Sequence, residues 1–296
     1  ELTHAAQTFA SATVDAPFSV ATAAAVWFDG MDIDGDGDTT DQSAGDVVSE
    51  WRDKSGNDRH LTQDDGNTTK RPTIAADASH TNGNLAVKFD GGDQISSAAG
   101  DTVGSTTGYT WFAVASGHTG SYGSVFNTRV DISGNILYAK NGNYEAWVYT
   151  SNTDTWNTRT LGSIGSGASI IGDSVIAGGT RELYYNGVTT VTNSVSTVVQ
   201  GNRINLGAVE PDQWYNNGYT NEVLYYKKAL NSSETTVVQN YLSSKWGTAL
   251  DSSVDYYAGD TTANGDYDYY VTGILKLNDS NVAAGSQGGL TITNSN

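Results

Sequence analysis

The chain has 296 residues, of which 33 are acidic and only 15 are Lys or Arg, and its formal net charge is −18. Such a charge repels phosphate and anionic lipid, which argues against nucleic acid and membrane surfaces as partners. The absence of Cys excludes disulfides, thiolate zinc sites and Cys nucleophiles, and no apolar run reaches the 18 residues that membrane insertion needs. No basic segment precedes an apolar one, so we expect any signal peptide to lie outside this sequence.

The first distinctive element is an aspartate-rich segment at residues 32–41. Carboxylates at alternate positions followed by a Gly at the sixth match the first half of an EF-hand calcium loop. The twelfth position is Ser43, where a bidentate Glu would belong, so other oxygens must complete the coordination. The alternative is a solvated acidic turn, but five carboxylates within ten residues repel one another without a cation. We therefore predict Ca²⁺ as a cofactor, with these ligands: Asp32, Asp34, Asp36, Asp38 and Asp41.

Segments with alternating apolar and polar residues, bounded by Gly, Asn and Asp, recur along most of the chain. An Asn186-Gly187 pair between two such segments predicts a two-residue hairpin turn. Regular spacing of short strands is typical of a sandwich and not of βαβ units. The sequence therefore predicts an all-β fold with strands at these positions: Leu85–Asp90, Tyr109–Ala115, Ser124–Val130, Asn135–Lys140, Tyr144–Thr150, Ser169–Ala177, Glu182–Tyr185, Arg203–Ala208 and Asn221–Tyr226.

Two groups of aromatic residues are candidates for ligand binding. Trp147 and Tyr149 share one face of a predicted strand, close in sequence to Trp156, and form either core, which we favour, or a stacking platform. The loop at residues 209–219 combines aromatic rings, which stack on a pyranose, with amides and a carboxylate for its hydroxyls. The alternative is a structural role, in which these rings cover a sheet edge or the rim of the core. The candidate ligand-binding residues are Asp212, Trp214, Tyr215, Asn216 and Asn217.

One helix is predicted near the C-terminal end. Asn231 is a suitable N-cap with Glu234 three residues later, an apolar stripe follows, and Gly247 supplies a stop. We therefore predict a helix over Glu234–Trp246.

The chain as a whole is divided into three parts. They are an N-terminal segment or linker (1–20), a main domain (21–250), and a C-terminal β extension or start of a further module (251–296).

Several short motifs occur in a recognisable order: Trp27-Phe28-Asp29-Gly30, the 32–41 segment, Trp51-Arg52-Asp53-Lys54-Ser55-Gly56-Asn57, Arg71-Pro72, Val87-Lys88-Phe89-Asp90-Gly91, Leu183-Tyr184-Tyr185-Asn186-Gly187, and residues 221–230 followed by the helix. Over about residues 21–250 the chain resembles the laminin-G-like, concanavalin A-type jelly-roll modules of bacterial secreted proteins. Residues 246–260 resemble the sequence that trails such modules in large surface proteins and adhesins. The resemblance implies an antiparallel two-sheet jelly-roll sandwich with one short C-terminal helix and a small β extension. Members of that family bind sugars, bind proteins, cleave glycans or act as spacers.

Signals for catalysis are weak. The seven Glu never form the alternating carboxylates of glycan-cleaving relatives, and neither a nucleophile elbow nor a phosphate-binding loop occurs. We predict that the chain is not an enzyme but a calcium-stabilised, lectin-like carbohydrate-binding module for adhesion. Its expected location is extracellular or at the cell surface, and its expected partner is a glycan or other cell-surface ligand. The alternative is a structural subunit of a filament, sheath or surface layer that assembles copies of itself by strand addition.

Overall fold

A computed structural model describes residues 20, 23–63, 66–101, 103, 107–128, 134–150, 155–195, 201–209, 213–259, 263, 272–278 and 281–286. Two eight-stranded antiparallel sheets make up the body of the fold. Sheet I contains β1 (Val26–Asp29), β4 (Thr73–Ala76), β5 (Leu85–Asp90), β7 (Gly108–Ser116), β12 (Ser169–Ile176), β13 (Gly179–Tyr185), β14 (Val188–Val195) and β16 (Asn217–Tyr226). Sheet II contains β2 (Glu50–Trp51), β3 (Leu61–Thr62), β6 (Ile95–Ser96), β8 (Tyr122–Asn127), β9 (Asn135–Lys140), β10 (Asn143–Thr150), β11 (Thr155–Ser163) and β15 (Asn205–Leu206).

The ten-residue strand β16 organises sheet I, whose strand order is β14-β13-β12-β7-β16-β5-β4. One edge of β16 pairs with β7, and its other edge pairs first with β5 over residues 217–220 and then with β1 over residues 222–225. The order in sheet II is β11-β10-β9-β8-β15-β6-β3-β2. These pairings confirm the predicted jelly-roll sandwich.

The main core lies between the two sheets. Along β9, Leu137 and Ala139 belong to this core, whereas Ile136 and Tyr138 belong to a separate small cluster on the outer face of sheet II. Alternation along a strand sends successive side chains to opposite faces, so each strand of the sandwich contributes every second residue to the core. Large buried rings, including Trp51 and Trp111, fill the space between the sheets.

Helix α1 (Ser232–Trp246) covers the outer face of sheet I. Asn231 and Glu234 form the predicted capping box, and Gly247 ends the helix in the left-handed conformation at φ 64°. Tyr241 and Trp246 pack with the outward side chains of sheet I. The helix was therefore predicted correctly apart from its start, which comes two residues earlier.

A third, two-stranded sheet follows the helix. β17 (Thr272–Asn278) and β18 (Asn281–Ser286) pair antiparallel and lie against α1. Of the predicted N-terminal segment (1–20), residues 1–19 lie outside the described residues. The carbonyl of Val20 accepts a hydrogen bond from the Tyr226 hydroxyl at 3.2 Å. Among the described residues, no helix is long and apolar enough to cross a membrane.

Candidate functional site

The aspartate-rich segment follows directly after β1. Carboxylate oxygens of Asp32, Asp34 and Asp36 lie within 4.8 Å of one another, which brings three of the five predicted ligands together. Asp38 and Asp41 lie outside this group, and Asp38 Oδ1 instead accepts hydrogen bonds from the amide and the hydroxyl of Thr40. Three of the five predicted ligands therefore converge, whereas the Asp38 carboxylate closes a turn on Thr40.

Asp32 is the buried member of the three-carboxylate group. Its side chain is fully buried, Lys54 Nζ lies 2.6 Å from Oδ2, and no described residue donates a hydrogen bond to Oδ1. Desolvation and the charges of Asp36, Asp41 and Asp32 raise the pKa of Asp34. A buried carboxylate oxygen without a donor, beside two exposed carboxylates, is a position at which a cation would lower the free energy.

Behind Asp32, charged side chains of alternating sign form a chain into the protein. Lys54 Nζ also lies 3.0 Å from Asp29 Oδ2, Lys245 Nζ lies 2.6 Å from Asp29 Oδ1, and the same ammonium group lies 2.9 Å from Glu222 Oε2. Burial alone would raise the pKa of Asp29, but the neighbouring charges of Lys245 and Lys54 outweigh it and lower this pKa. The carboxylate of Asp29 therefore stays ionised in a buried position.

Glu222 is the inner end of this charged chain. Its Oε1 accepts hydrogen bonds from Trp27 Nε1 at 2.7 Å and the Tyr241 hydroxyl at 2.6 Å, and its Oε2 accepts one from Trp246 Nε1 at 2.7 Å. These donors come from β1 and α1, while Glu222 lies on β16. Because both oxygens are fully used, Glu222 joins three elements and is not available as a catalytic carboxylate.

The second candidate site is a set of aromatic rings on the outer face of sheet II, which we call the aromatic patch: Tyr122, Tyr138, Trp147 and Trp214. Trp214 lies with its ring centroid 5.3 Å from that of Tyr122 and 5.5 Å from that of Tyr138. Trp147 meets Tyr138 edge to face at 4.9 Å. Trp214 remains 38% exposed, so within the aromatic patch its ring faces solvent, whereas Tyr138 is fully buried beneath it. The ring planes are inclined to one another by 42° to 87°, so the exposed surface is that of a single indole and not of a coplanar set.

Strand alternation explains how the patch forms. In β10, Tyr144, Ala146 and Val148 face the core, so Trp147 points outward with Glu145. Trp147 lies outside the main core and packs, half-buried, against the small cluster on the outer face, because Tyr144, Ala146 and Val148 occupy the core face of the same strand. The side chains of Tyr149 and Trp156 lie outside the described residues, although their backbones are paired across β10 and β11.

The backbone of Trp214 is strained. Its φ angle is 51°, a conformation that bulky residues rarely adopt. The segment is fixed by paired hydrogen bonds between Val209 and Gln213 at 2.8 and 2.9 Å, and by one from Ser124 N to Trp214 O at 2.7 Å. Strain held by surrounding hydrogen bonds is a recurring property of binding sites.

The other predicted ligand residues occupy different environments. Asp212 lies outside the described residues, and Tyr215 is half-buried. Asn216 is 1% exposed and its Oδ1 lies 2.6 Å from His118 Nδ1, so its side chain supports the loop from beneath. Asn217 is half-buried and begins β16. Among the four of these residues that the structure describes, Trp214 alone is exposed, at 38%.

An ion pair borders the aromatic patch. Lys140 Nζ lies 5.1 Å from the ring centroids of both Tyr122 and Trp147, and 3.2 Å from Glu145 Oε2. Glu145 Oε2 also accepts a hydrogen bond from Trp147 Nε1 at 2.9 Å. Charged groups beside exposed rings supply the hydrogen-bonding partners that a hydroxylated ligand requires. Tyr122, Tyr138, Lys140 and Glu145 were not predicted, although the alternation of β9 and β10 placed the last three on one face.

Comparison with known proteins gives matches at the level of structure. No family model matches the chain, and no curated protein matches it. The binding domain of botulinum neurotoxin serotype D superposes with a TM-score of 0.55 at 14% identity, covering 77% of this chain and 55% of that domain. Two further structures each give a TM-score of 0.52 at 12% identity with the same coverage: the serotype D ligand-binding domain in complex with N-acetylneuraminic acid, and the receptor-binding domain of the C/D mosaic serotype.

These similarities concern the fold. The identities are low, and the chain spans about half the length of the toxin domains that it matches. They support a jelly-roll-like all-β sandwich, whereas a laminin-G family in particular is not identified by them. Function has to be argued from the residues of the two candidate sites.

Proposed function

We propose that this chain is a non-catalytic carbohydrate-binding module of an extracellular bacterial protein, and that the aromatic patch is its binding surface. The observation that carries the proposal is Trp214, whose exposed ring is held on Tyr122 and Tyr138 by a strained backbone. A rigid aromatic plane stacks on the C–H face of a pyranose at little cost in conformational entropy. The toxin domains of similar fold are described as binding domains, one of them in complex with a sugar acid, which is consistent with this role.

A glycan array compares the wild-type protein with Trp214→Ala and Trp214→Phe. We expect glycan binding by the wild-type protein, loss of about tenfold or more in affinity for Trp214→Ala, and an intermediate loss for Trp214→Phe, because the smaller ring keeps part of the stacking surface. The Lys228→Met variant, which changes an exposed residue beside α1, serves as a control for charge and folding. Absence of any glycan bound by the wild-type protein, or equal binding by Trp214→Ala, would contradict the proposal.

We further propose that Ca²⁺ binds at Asp32, Asp34 and Asp36 and stabilises the module. The observation behind this is the fully buried Asp32, whose Oδ1 receives no hydrogen bond from the described residues while three carboxylates converge. Asp29 and Glu222 are two further carboxylates, both buried, and among the described residues this set of five forms ion pairs with two ammonium groups, those of Lys54 and Lys245. A divalent cation reduces this excess of negative charge.

Thermal unfolding at constant ionic strength, with Ca²⁺ or with a chelator, tests the calcium proposal. At about one hundred times the dissociation constant, Ca²⁺ should stabilise the protein by about 2.7 kcal/mol. Asp34→Asn combined with Asp36→Asn should remove this effect, whereas Asp58→Asn, at an aspartate whose side chain is 90% exposed, should keep it. A melting temperature that Ca²⁺ leaves unchanged would show that the segment is a solvated turn. Assembly by strand addition, the alternative function, stays a prediction.

A further inference from the structure

A small cleft lies on the opposite side of the sandwich from the aromatic patch, between α1 and sheet I. Its volume is about 160 Å³, and its walls come from β13, the first turns of α1 and the segment 253–256. We call it the α1 cleft and define it by six of its lining residues: Glu182, Tyr184, Thr235, Gln239, Ser253 and Tyr256. A cavity of about 150 Å³ accepts one six-membered ring.

The walls of the α1 cleft are held in place by hydrogen bonds. Asn240 Nδ2 donates to Val254 O at 2.7 Å, and Asn240 Oδ1 accepts from the amides of Tyr256 and Tyr257 at 2.9 Å each. Asp251 N donates to Asn186 O at 3.1 Å, which joins the same segment to the β13–β14 turn. The cleft is therefore a formed feature of the fold, as expected of a small-ligand site.

The lining of the α1 cleft is polar and apolar in about equal parts and carries a single charge. Glu182 supplies the only carboxylate among the described residues that line it, and no basic side chain is among them. The Tyr184 hydroxyl donates to Glu182 Oε2 at 2.6 Å, which orients the carboxylate. Gln239 is 2% exposed, and no described residue donates to its Oε1. The 56% exposed Tyr256 ring stands at the edge of the cleft.

These features select the class of ligand. A lone carboxylate without a basic neighbour disfavours anions, and one carboxylate is too few for a divalent cation, which takes six to eight oxygens. An apolar ligand would leave the buried amide and hydroxyl groups without partners. We propose that the α1 cleft binds a single neutral sugar ring, whose hydroxyl groups donate to Glu182 and Gln239 and whose C–H face packs on Tyr256. This second site does not depend on the aromatic patch.

Ligand-detected NMR with the full chain tests the proposal, using the methyl glycosides of glucose, galactose, mannose and N-acetylglucosamine as probes. We expect at least one probe to bind with a Kd of about 1 mM, as is usual for one ring in a shallow site. Tyr256→Ala and Glu182→Gln should each weaken this binding about fivefold or more. Tyr256 contributes only its backbone amide to the described wall hydrogen bonds, so the Ala variant keeps the cleft intact.

Trp214→Ala separates this site from the aromatic patch. Binding of the monosaccharide should stay within about twofold of wild type in that variant if the ring occupies the α1 cleft. Binding that is lost in Trp214→Ala but kept in Tyr256→Ala would place the sugar on the aromatic patch and overturn the proposal. It would also be overturned if none of the four probes bound, or if glucuronate bound as tightly as the neutral glycosides.

Discussion

The charged chain between the aspartate-rich segment and α1 gives the sharpest stability prediction. Lys245 is 5% exposed, and its ammonium group lies between Asp29 and Glu222, at 2.6 and 2.9 Å. Substituting Met keeps most of the side-chain volume but removes the charge. Two buried carboxylates then lose their shared cation, although Asp29 keeps Lys54 and Glu222 keeps three neutral donors.

The expected cost of Lys245→Met is about 3 to 5 kcal/mol in free energy of unfolding, the range for removing one partner of a buried ion pair. Urea denaturation followed by tryptophan fluorescence measures this difference directly. The matched control is Lys228→Met, since Lys228 is 52% exposed and pairs with Glu234 at 2.6 Å. That change should cost less than about 1 kcal/mol. If Lys245→Met also costs less than about 1 kcal/mol, the buried charges do not join α1 to the sandwich as described.

Three further substitutions test other parts of the fold by the same unfolding measurement. Burial raises the pKa of the Asp93 carboxyl to about 6, so the folded state holds the carboxyl proton more tightly than the unfolded state does. The free energy of unfolding therefore falls as the pH rises from about 4 through 6. In the Asp93→Asn variant the side-chain oxygen can still accept the hydrogen bond from the Asp90 amide. This variant should be more stable than the wild-type protein by about 2 kcal/mol at pH 8 but not at pH 4. Equal effects at both pH values would refute this. Gly247→Ala should lower the free energy of unfolding by about 1 to 2 kcal/mol, because φ at this position is 64° and the new Cβ would lie 2.7 Å from the Asn82 side chain. An unchanged free energy of unfolding would contradict the geometry of this helix end. Arg181→Met should lower the free energy of unfolding by about 3 to 5 kcal/mol, because the fully buried Asp173 carboxylate, 2.8 Å from the guanidinium, would lose its ion-pair partner. An unchanged free energy of unfolding would argue against that ion pair.

Local features of the fold could be predicted from the sequence because their signals lie within a few residues. Asn231, Glu234 and Gly247 specify both ends of α1, and Asn186-Gly187 forms the predicted turn with Asn186 at φ 47° and Gly187 at φ 88°. The two-residue strands β2, β3 and β6 carry no such pattern, whereas β15 lies within the predicted strand Arg203–Ala208. They exist because distant strands offer backbone partners, and pairing of that kind depends on the assembled sheet.

The candidate sites were predictable only in part. Trp214 was singled out from its loop, but alternation alone does not say which face of a strand is buried, so the contributions of Tyr138 and Trp147 could not be assigned. Lys245 and Asp29 are separated by 216 positions, and nothing local indicates that they form an ion pair. The motif residues around 27–29 and 221–226 are now explained by this network, since they join β1, β16 and α1.

The most direct test of the central proposal is the response of the indole N–H signals in a two-dimensional NMR spectrum to the tightest-binding glycan from the array. The chain has seven Trp residues, and Trp→Phe variants assign their signals. Binding on the aromatic patch should shift the signals of Trp214 and Trp147 and leave those of the buried Trp51, Trp111 and Trp246 unchanged. Shifts that spare Trp214, or a spectrum that no glycan alters, would contradict carbohydrate binding at this surface.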